Sequence, residues 1–137
     1  MTKREPDFDI DLPIGAKAEE WVKELFSNET AHIEVKWDEP ALRLGHVYVE
    51  YECMGRDGKW YPSGIKVSKS GFYTFKFGDL PGALVIETAW LKRAARRAYH
   101  RLDARKECIR GSNPTKGVTV TLRDLWNTRA GNNGVSS

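Results

Sequence analysis

The sequence predicts a mixed α/β domain in which one sheet of about four strands is flanked by helices. Three observations lead to this prediction. Apolar residues recur at helical spacing in residues 14–26, they alternate with polar residues in 33–37 and again after Gly45, and a long basic helical pattern follows at 89–107. The order of helix, strands and helix is typical of α+β or mixed α/β sandwiches around one sheet.

Composition sets broad limits on the class of protein. The 137 residues are enough for one hydrophobic core. The net charge is only +3, so the total charge does not by itself indicate a nucleic-acid-binding protein, and the distribution of charge has to decide. Because the N-terminus lacks a signal-peptide pattern and no apolar run approaches ~18 residues, we expect a soluble intracellular protein without a membrane partner.

Three segments are expected along the chain. Residues 1–13 are charged and carry two prolines, which predicts an extended arm. Residues 14–127 form the single domain, and it opens with a helix that ends at Ser27-Asn28. The Gly/Asn/Ser-rich residues 128–137 are expected to form a flexible tail. The apolar face of the first helix comprises Ala18, Trp21, Val22, Leu25 and Phe26.

Alternation with a period of two predicts the strands of the domain. The apolar residues Ile33, Val35 and Trp37 alternate with charged ones, which is typical of a half-buried strand with a charged outer face. The second strand has the same pattern, with Val47, Val49 and Tyr51 on one side. Further strands are expected at 71–79, at 82–88 and, more briefly, at 118–122, whereas 55–64 and 111–117 carry turn signals.

A long amphipathic helix is predicted at about 89–107. Its expected buried stripe consists of Leu91, Ala94, Ala95, Ala98 and Leu102. Lysine and arginine crowd its other faces, which indicates contact with a nucleic-acid backbone as an alternative to simple solvent exposure. The predicted DNA-binding residues on this segment and on the loop before the third strand are Lys92, Arg93, Arg96, Arg97, Arg101, Lys66 and Lys69.

The stretch "HIEVKWD" places Glu34, Lys36 and Asp38 at alternate positions of the first strand. Alternate strand residues project from the same face of a sheet. Carboxylates are ligands that Mg²⁺ prefers, and a nearby lysine can orient water or stabilise charge on a phosphate, so the set suits metal-assisted phosphodiester hydrolysis. The other interpretation is an ordinary solvent-exposed charged face.

Neighbouring features favour the catalytic interpretation. Glu50 lies on the next strand, on the face opposite its apolar residues, where a second carboxylate would stand beside the first row. Glu19 lies near the start of the preceding helix, four residues after Gly15, where it would lean toward the sheet. The basic helix that follows the strands is a natural counterpart for a phosphate backbone.

At these residues the sequence resembles the PD-(D/E)xK nuclease superfamily, and more narrowly small phage-type nucleases related to Holliday-junction resolvases. In those proteins a Glu-Val-Lys-x-Asp strand precedes a Thr-Gly-Asn-x-x-x-Glu strand and then a Ser-Gly turn. The corresponding elements here are 34–38, Leu44-Gly45-His46-Val47-Tyr48-Val49-Glu50 and Ser63-Gly64. The resemblance covers about residues 14–90.

The resemblance implies a restriction-endonuclease-like αβββαβ core and a DNA endonuclease that depends on Mg²⁺ or Mn²⁺. Glu34 and Lys36 would be catalytic, and Glu19 would be the acid on the helix. The metal ligands would be Glu34 with Asp38 or Glu50. The enzyme would act in the cytoplasm, of a host cell if phage-encoded, and a homodimer is expected if both DNA strands are cut.

One departure from the family pattern leaves two arrangements open. The family carries a metal-binding Asp on a strand before Glu-x-Lys, and "SNETA" (27–31) is too short for that strand. Asp38 or Glu50 supplies the carboxylate in the first arrangement, which the local match favours. In the second, Glu34 takes the place of the Asp, and Glu50-Tyr51-Glu52 is a Glu-x-Lys that has lost its lysine.

The same departure supports a second functional hypothesis. A protein that kept the nuclease fold but lost a metal ligand would be a non-catalytic nucleic-acid-binding or virion-associated protein. A third class, a protein-interaction domain with a charged sheet face, predicts binding of neither metal nor DNA.

Overall fold

The computed structural model describes residues 8–27, 33–109 and 113–128. The chain divides into two units, residues 1–31 and 32–137. In the first unit the structure describes a helix, α1 (Phe8–Ser27), which ends where the sequence predicts. The expected extended arm is wrong for residues 8–13, because the helix begins at Phe8 and continues through Pro13, whose missing N–H removes a single helical hydrogen bond. Residues 1–7 of that arm lie outside the described residues.

The second unit contains two sheets where the sequence predicts one. Its elements are β1 (Ile33–Trp37), α2 (Ala41–Leu44), β2 (His46–Met54), β3 (Trp60–Pro62), a 3-10 turn (Gly64–Lys66), β4 (Phe72–Lys76), β5 (Ala83–Glu87), α3 (Thr88–Tyr99), a second 3-10 turn (Leu102–Ala104), β6 (Arg105–Cys108), β7 (Thr115–Thr121) and α4 (Leu122–Asn127). Strand order is β1-β4-β5 in one sheet and β3-β2-β7-β6 in the other. The mixed α/β class is confirmed. The single central sheet is wrong, because periodicity identifies strands but not their partners.

Strand pairing places the charged residues of β1 next to the core. β1 runs parallel to β4, with Glu34 opposite Tyr73 and Lys36 opposite Phe75. Tyr73 and Phe75 are fully buried, and paired residues of adjacent strands project from the same face. Glu34 and Lys36 are therefore half-buried, and the predicted charged outer face is wrong.

The apolar residues of β1 lie on the other face of the same strand. Within the described structure Val35 is 64% exposed and Trp37 is 63% exposed. A two-residue period distinguishes the two faces of a strand but does not say which one faces the core. Here the partner strand decides, because the buried side chains of β4 lie on the side of Glu34 and Lys36.

Helix α3 packs its predicted stripe into the core, in contact with β7 and α4. Leu91, Ala94 and Ala98 are completely buried, as predicted. The helix ends at Tyr99 rather than near residue 107, because the chain turns there and 105–108 pairs with β7 as an edge strand. Leu102, expected in the buried stripe, is consequently 77% exposed.

The end of the described chain is ordered further than the sequence predicts. Strand β7 begins at Thr115, inside the segment predicted as a loop, and the predicted loop 55–64 contains β3. Thr128, expected in the flexible tail, is fully buried and donates a hydrogen bond to the carbonyl of Asp124. Residues 129–137 of that tail lie outside the described residues. Among the helices described, none is long and apolar enough to span a membrane.

Candidate active site

A cleft of about 330 Å³ lies in the second unit, between β1 and the segment that precedes β4. Glu34 and Lys36 line it from β1. The opposite wall consists of Gly64, Val67, Ser68, Lys69 and Ser70. The two charged residues that the sequence singled out on the first strand thus open into a concave surface.

The ammonium group of Lys36 is paired with Glu34 in this cleft. Lys36 Nζ lies 2.9 Å from Glu34 Oε1, and both side chains are partly exposed. Burial acts to lower the pKa of Lys36, but the hydrogen bond and charge of Glu34, together with the charge of Glu50, outweigh it and raise this pKa. Lys36 is therefore a cation at neutral pH.

Glu50, whose charge acts on Lys36, has a hydrogen bond of its own. Ser63 Oγ donates to Glu50 Oε2 over 2.7 Å. The register between β2 and β7 shifts between Glu50 and Glu52, which is an irregularity of the β-bulge kind. Bulges interrupt the alternation of side chains and re-aim them near functional sites. The structure thus brings Glu50, one of the two candidate completing acids, into electrostatic reach of Lys36.

Gly64 allows the Ser63 turn to press directly against Glu50. Its φ of +52° lies in the left-handed region that favours glycine. A Cβ at this position would also collide with the main-chain carbonyl of Glu50. Both constraints explain why a Ser-Gly pair, and not a larger residue, can seat the hydroxyl of Ser63 on the Glu50 carboxylate.

Tyr73 contributes a buried hydroxyl to the same group of side chains. Within the described residues this hydroxyl has no hydrogen-bond partner of standard geometry. Burial raises the pKa of Tyr73 most, while Ser68 and Lys36 act to lower it and the carboxylates of Glu34 and Glu50 act to raise it. The hydroxyl thus feels the charges of Lys36 and both acids, and it keeps unused hydrogen-bonding capacity.

Two serines connect the cleft to the start of α3. The hydroxyls of Ser68 and Ser70 lie 2.8 Å apart, and Ser70 Oγ is 3.1 Å from Thr88 Oγ1. Lys92 Nζ reaches the carbonyl of Ser68 at 3.5 Å. Sequence reasoning missed Ser68, Ser70 and Tyr73 because hydroxyl residues in a loop and an aromatic residue in a strand carry no motif of their own.

The remaining predicted site residues lie elsewhere or have other contacts. Asp38 Oδ2 accepts a hydrogen bond of 2.9 Å from the main-chain N–H of Tyr48, so this carboxylate fastens β2 to the end of β1. Glu19 is exposed on α1 in the first unit, and its role stays a prediction. Arg101 lies after the end of α3 and forms a bidentate pair with Asp124, with distances of 2.8 and 2.9 Å.

The other predicted DNA-binding residues are distributed over α3 and the wall of the cleft. Arg93 and Arg96 are exposed, and the guanidinium of Arg93 lies over the ring of Trp90. Lys69 lines the cleft, and Lys66 is 4.0 Å from Glu52. Lys92 and Arg97, the remaining two, are partly buried on α3.

A group of three or more metal-ligating side chains is not found among residues 8–27, 33–109 and 113–128. Glu34 lines the cleft with Lys36, and the carboxylates of Glu34 and Glu50 both act on the charge of that lysine. Comparisons with protein-family models, with curated proteins and with solved structures give no match for this chain.

Proposed function

We propose that this protein is a divalent-metal-dependent DNA endonuclease of the PD-(D/E)xK type, built on a restriction-endonuclease-like core. One observation carries the proposal. Lys36 lies 2.9 Å from Glu34 at a cleft, and the charge of Glu50, on a strand of the other sheet, also acts on Lys36. Two acids with a protonated lysine suit metal-assisted phosphodiester hydrolysis, because the acids can hold a cation and the lysine can stabilise charge on the phosphate.

The donor set fits Mg²⁺ or Mn²⁺. Mg²⁺ is commonly bound by one or two carboxylates and keeps several waters, so Glu34 and Glu50 would suffice to hold it. When bound, the cation polarises a phosphoryl oxygen and makes water a better nucleophile. In this arrangement Glu50 completes the set in place of Asp38, whose carboxylate is engaged with the main chain of Tyr48.

Lys36 acts as an electrostatic group in this proposal. Its raised pKa keeps it protonated, so it stabilises negative charge that develops on the phosphate oxygens and does not accept a proton from water. Ser63 fixes the orientation of Glu50 through its hydrogen bond. Lys69, Ser68 and Ser70, on the opposite wall, supply a cation and hydroxyl donors for a phosphate that enters the cleft.

The basic residues would bind the DNA on either side of the cleft. Lys66 and Lys69 flank it on the loop, and Lys92, Arg93, Arg96 and Arg97 follow on α3, whose first residue is linked to Ser70. These contacts would go to the backbone and confer no base specificity. Cutting both strands of a duplex would need two copies of the chain, and a phage-encoded enzyme would act in the cytoplasm of its host.

The proposal is tested by cleavage of supercoiled, branched and single-stranded DNA with Mg²⁺ or Mn²⁺. We expect the wild type to cleave and Glu34→Gln, Glu50→Gln and Lys36→Met each to lose about 100-fold or more in rate, the magnitude typical of removing a group that stabilises the transition state. Absence of cleavage by the wild type with either metal on all three substrates would contradict the proposal.

Two matched variants separate the site from its surroundings. Glu52→Gln removes a carboxylate from the same strand, two residues from Glu50, and should leave the rate within a factor of about 3. Asp38→Asn keeps an oxygen acceptor for the N–H of Tyr48 and should also retain activity. A loss at Asp38 equal to that at Glu50 would instead show that Asp38 is the completing ligand.

A non-catalytic nucleic-acid-binding or virion-associated protein is the second candidate. The observation that favours it is that Glu34 is the acid that lines the cleft, and no group of three metal-ligating side chains is found among the described residues. Mn²⁺ titration by calorimetry distinguishes the two functions. The endonuclease binds Mn²⁺ and loses this binding in Glu34→Gln, whereas the degenerate protein binds DNA in a salt-sensitive manner with no measurable heat from Mn²⁺.

A further inference from the structure

A stack of cations and aromatic rings runs from the 3-10 turn Gly64–Lys66 to the edge strand β6, and we call it the Arg105 stack. It consists of Lys66, Tyr51, Tyr99 and Arg105. Lys66 Nζ lies 5.2 Å from the ring centroid of Tyr51, the rings of Tyr51 and Tyr99 are 5.5 Å apart, and Arg105 Cζ lies 4.0 Å from the centroid of Tyr99. Tyr51 is the residue after Glu50 on β2 and packs against the hydrophobic core.

Arg105 is fixed in place by two independent contacts. Its guanidinium stacks on Tyr99, and its Nε–H donates a hydrogen bond of 2.7 Å to the carbonyl of Tyr99. Within the described part of the chain, the terminal nitrogens of Arg105 form neither a hydrogen bond nor an ion pair, and the residue is exposed. A planar guanidinium held in this way presents its remaining N–H groups in a fixed fork, and that geometry matches phosphate oxygens.

The contrast with Arg101 sharpens this assignment. Arg101 uses both terminal nitrogens in its pair with Asp124. This residue, which the sequence predicted to bind DNA, therefore has a structural contact. Arg105 would have continued the same helix, but it lies on β6, where the turn after Tyr99 brings it back over the Tyr99 ring. At this surface the guanidinium of Arg105 is therefore held over Tyr99, whereas that of Arg101 is paired with Asp124.

Each ring of the stack has a cation over it, which reduces the aromatic surface open to bases. Single-strand-binding surfaces use free aromatic faces on which successive bases stack. Here the ring of Tyr99 already carries Arg105, and that of Tyr51 carries Lys66 and contacts Tyr99. The surface is therefore suited to the phosphate backbone of a duplex more than to unstacked bases.

We propose that the Arg105 stack is a docking surface for the backbone of duplex DNA, with Arg105 contacting a phosphate outside the cleft. The inference rests on the proposed function for the identity of the ligand. The contact of Arg105 with a phosphate would orient the duplex across the candidate site. It would contribute to the affinity for DNA and not to the cleavage step.

Binding of a fluorescein-labelled 20-base-pair duplex to the Glu34→Gln protein, without divalent metal, tests the proposal at several salt concentrations. Arg105→Ala should weaken binding about 5-fold and reduce the slope of log K against log salt by about 0.9, the value for loss of one phosphate contact. Arg105→Lys should recover only part of the affinity, because it keeps the charge but loses the fork.

The controls locate the effect at the stack. Arg123→Ala removes the same charge from an exposed position on α4 and should change neither affinity nor slope. Tyr99→Leu should weaken binding as Arg105→Ala does, while Tyr99→Phe, which keeps the ring, should bind like the parent. The unfolding midpoint of each variant is measured in parallel, so that loss of fold in Tyr99→Leu is recognised and Arg105→Ala then decides.

The outcomes also separate this inference from the proposed function. If Lys69→Ala weakens duplex binding and Arg105→Ala does not, the surface is overturned and DNA binding at the cleft stands. If the protein binds no duplex at any salt concentration, both are overturned. An Arg105→Ala effect equal to that of Arg123→Ala also contradicts the surface, because it would reflect net charge alone.

Discussion

Lys36 Nζ lies 2.9 Å from Glu34 Oε1, and the two residues stand two positions apart on the same face of β1. The pair is half-buried because β4 lies alongside and presents Tyr73 and Phe75 on that face. Parallel pairing of β1 with β4 therefore turns the charged face of β1 toward a cleft. The charge of Glu50, on a strand of the other sheet, also acts on Lys36.

The Lys36–Glu34 pair should contribute little to the stability of the fold. Both side chains remain more than a third exposed, and solvent screens such pairs to about 0.2–1 kcal/mol. A double-mutant cycle with Lys36→Met and Glu34→Gln, measured by urea unfolding, should give a coupling free energy within that range. A coupling above about 2 kcal/mol would mean that the pair is structural, which would weaken its assignment to the site.

The Arg101–Asp124 pair should make stability depend on acid pH. Burial acts to raise the pKa of Asp124, but Arg101 and the N–H of Thr121 outweigh it and lower this pKa below 3.8. The stabilisation from this pair is therefore fully present at pH values above the ordinary pKa of aspartate, and it is lost as the pH falls through the lowered pKa of Asp124.

Asp124→Asn tests this dependence. It should lower the free energy of unfolding at pH 7 by about 2 kcal/mol, because it removes the charge-assisted hydrogen bonds to Arg101. The difference between wild type and variant should shrink below about pH 4 in urea unfolding at a series of pH values. A difference that stays constant down to pH 2 would show that the charge of Asp124 is not responsible.

Gly64→Ala should disturb the site as well as the fold. The left-handed backbone and the collision of a Cβ with the carbonyl of Glu50 together predict a loss of about 1–3 kcal/mol in the free energy of unfolding. Cleavage should fall in the protein that still folds, since Glu50 has to move. Gly58→Ala is a suitable control, because Gly58 has a similar positive φ but open space around it. Equal activity in the two variants would contradict this explanation.

Tyr73→Phe should leave the fold intact or stabilise it by about 1 kcal/mol. The hydroxyl is buried and unpartnered within the described residues, so its removal relieves a desolvation cost while the ring keeps its packing. Thermal or urea unfolding measures the change. A loss of more than about 1 kcal/mol would instead reveal a hydrogen bond, with Ser68 as the first candidate. If the hydroxyl also contacts substrate, the cleavage rate of this variant falls while its stability does not.

Much of the secondary structure follows from local sequence patterns. The apolar stripe of α3 is an example, since Leu91, Ala94 and Ala98 recur at the helical period and are all buried. Val47 and Val49 are buried on β2 for the same kind of reason. The end of α3 could not be read in this way, because Arg105–Cys108 has a helix-compatible sequence and becomes a strand only through pairing with β7.

The candidate site, too, could be predicted only in part from the sequence. Glu34, Lys36 and Glu50 were identifiable as chemistry-bearing residues on strands, and Ser63-Gly64 as a turn. The hydrogen bond from Ser63 to Glu50 and the position of the Tyr73 hydroxyl depend on contacts between residues distant in sequence. The contacts of the two candidate acids were equally beyond local reasoning, because Asp38 accepts from the main-chain N–H of Tyr48 and Glu50 from the hydroxyl of Ser63.

The sequence by itself determined where β1, β2, β4 and β5 lie, where the basic helix begins, and which residues carry charge along them. Only the tertiary structure decided which face of β1 is inward, which arginine is engaged with Asp124 and which is held over Tyr99. The physical reason is that periodicity is a property of one segment. Burial and pairing arise between segments, and here the partners β4, β7 and α4 set the environment of each charged side chain.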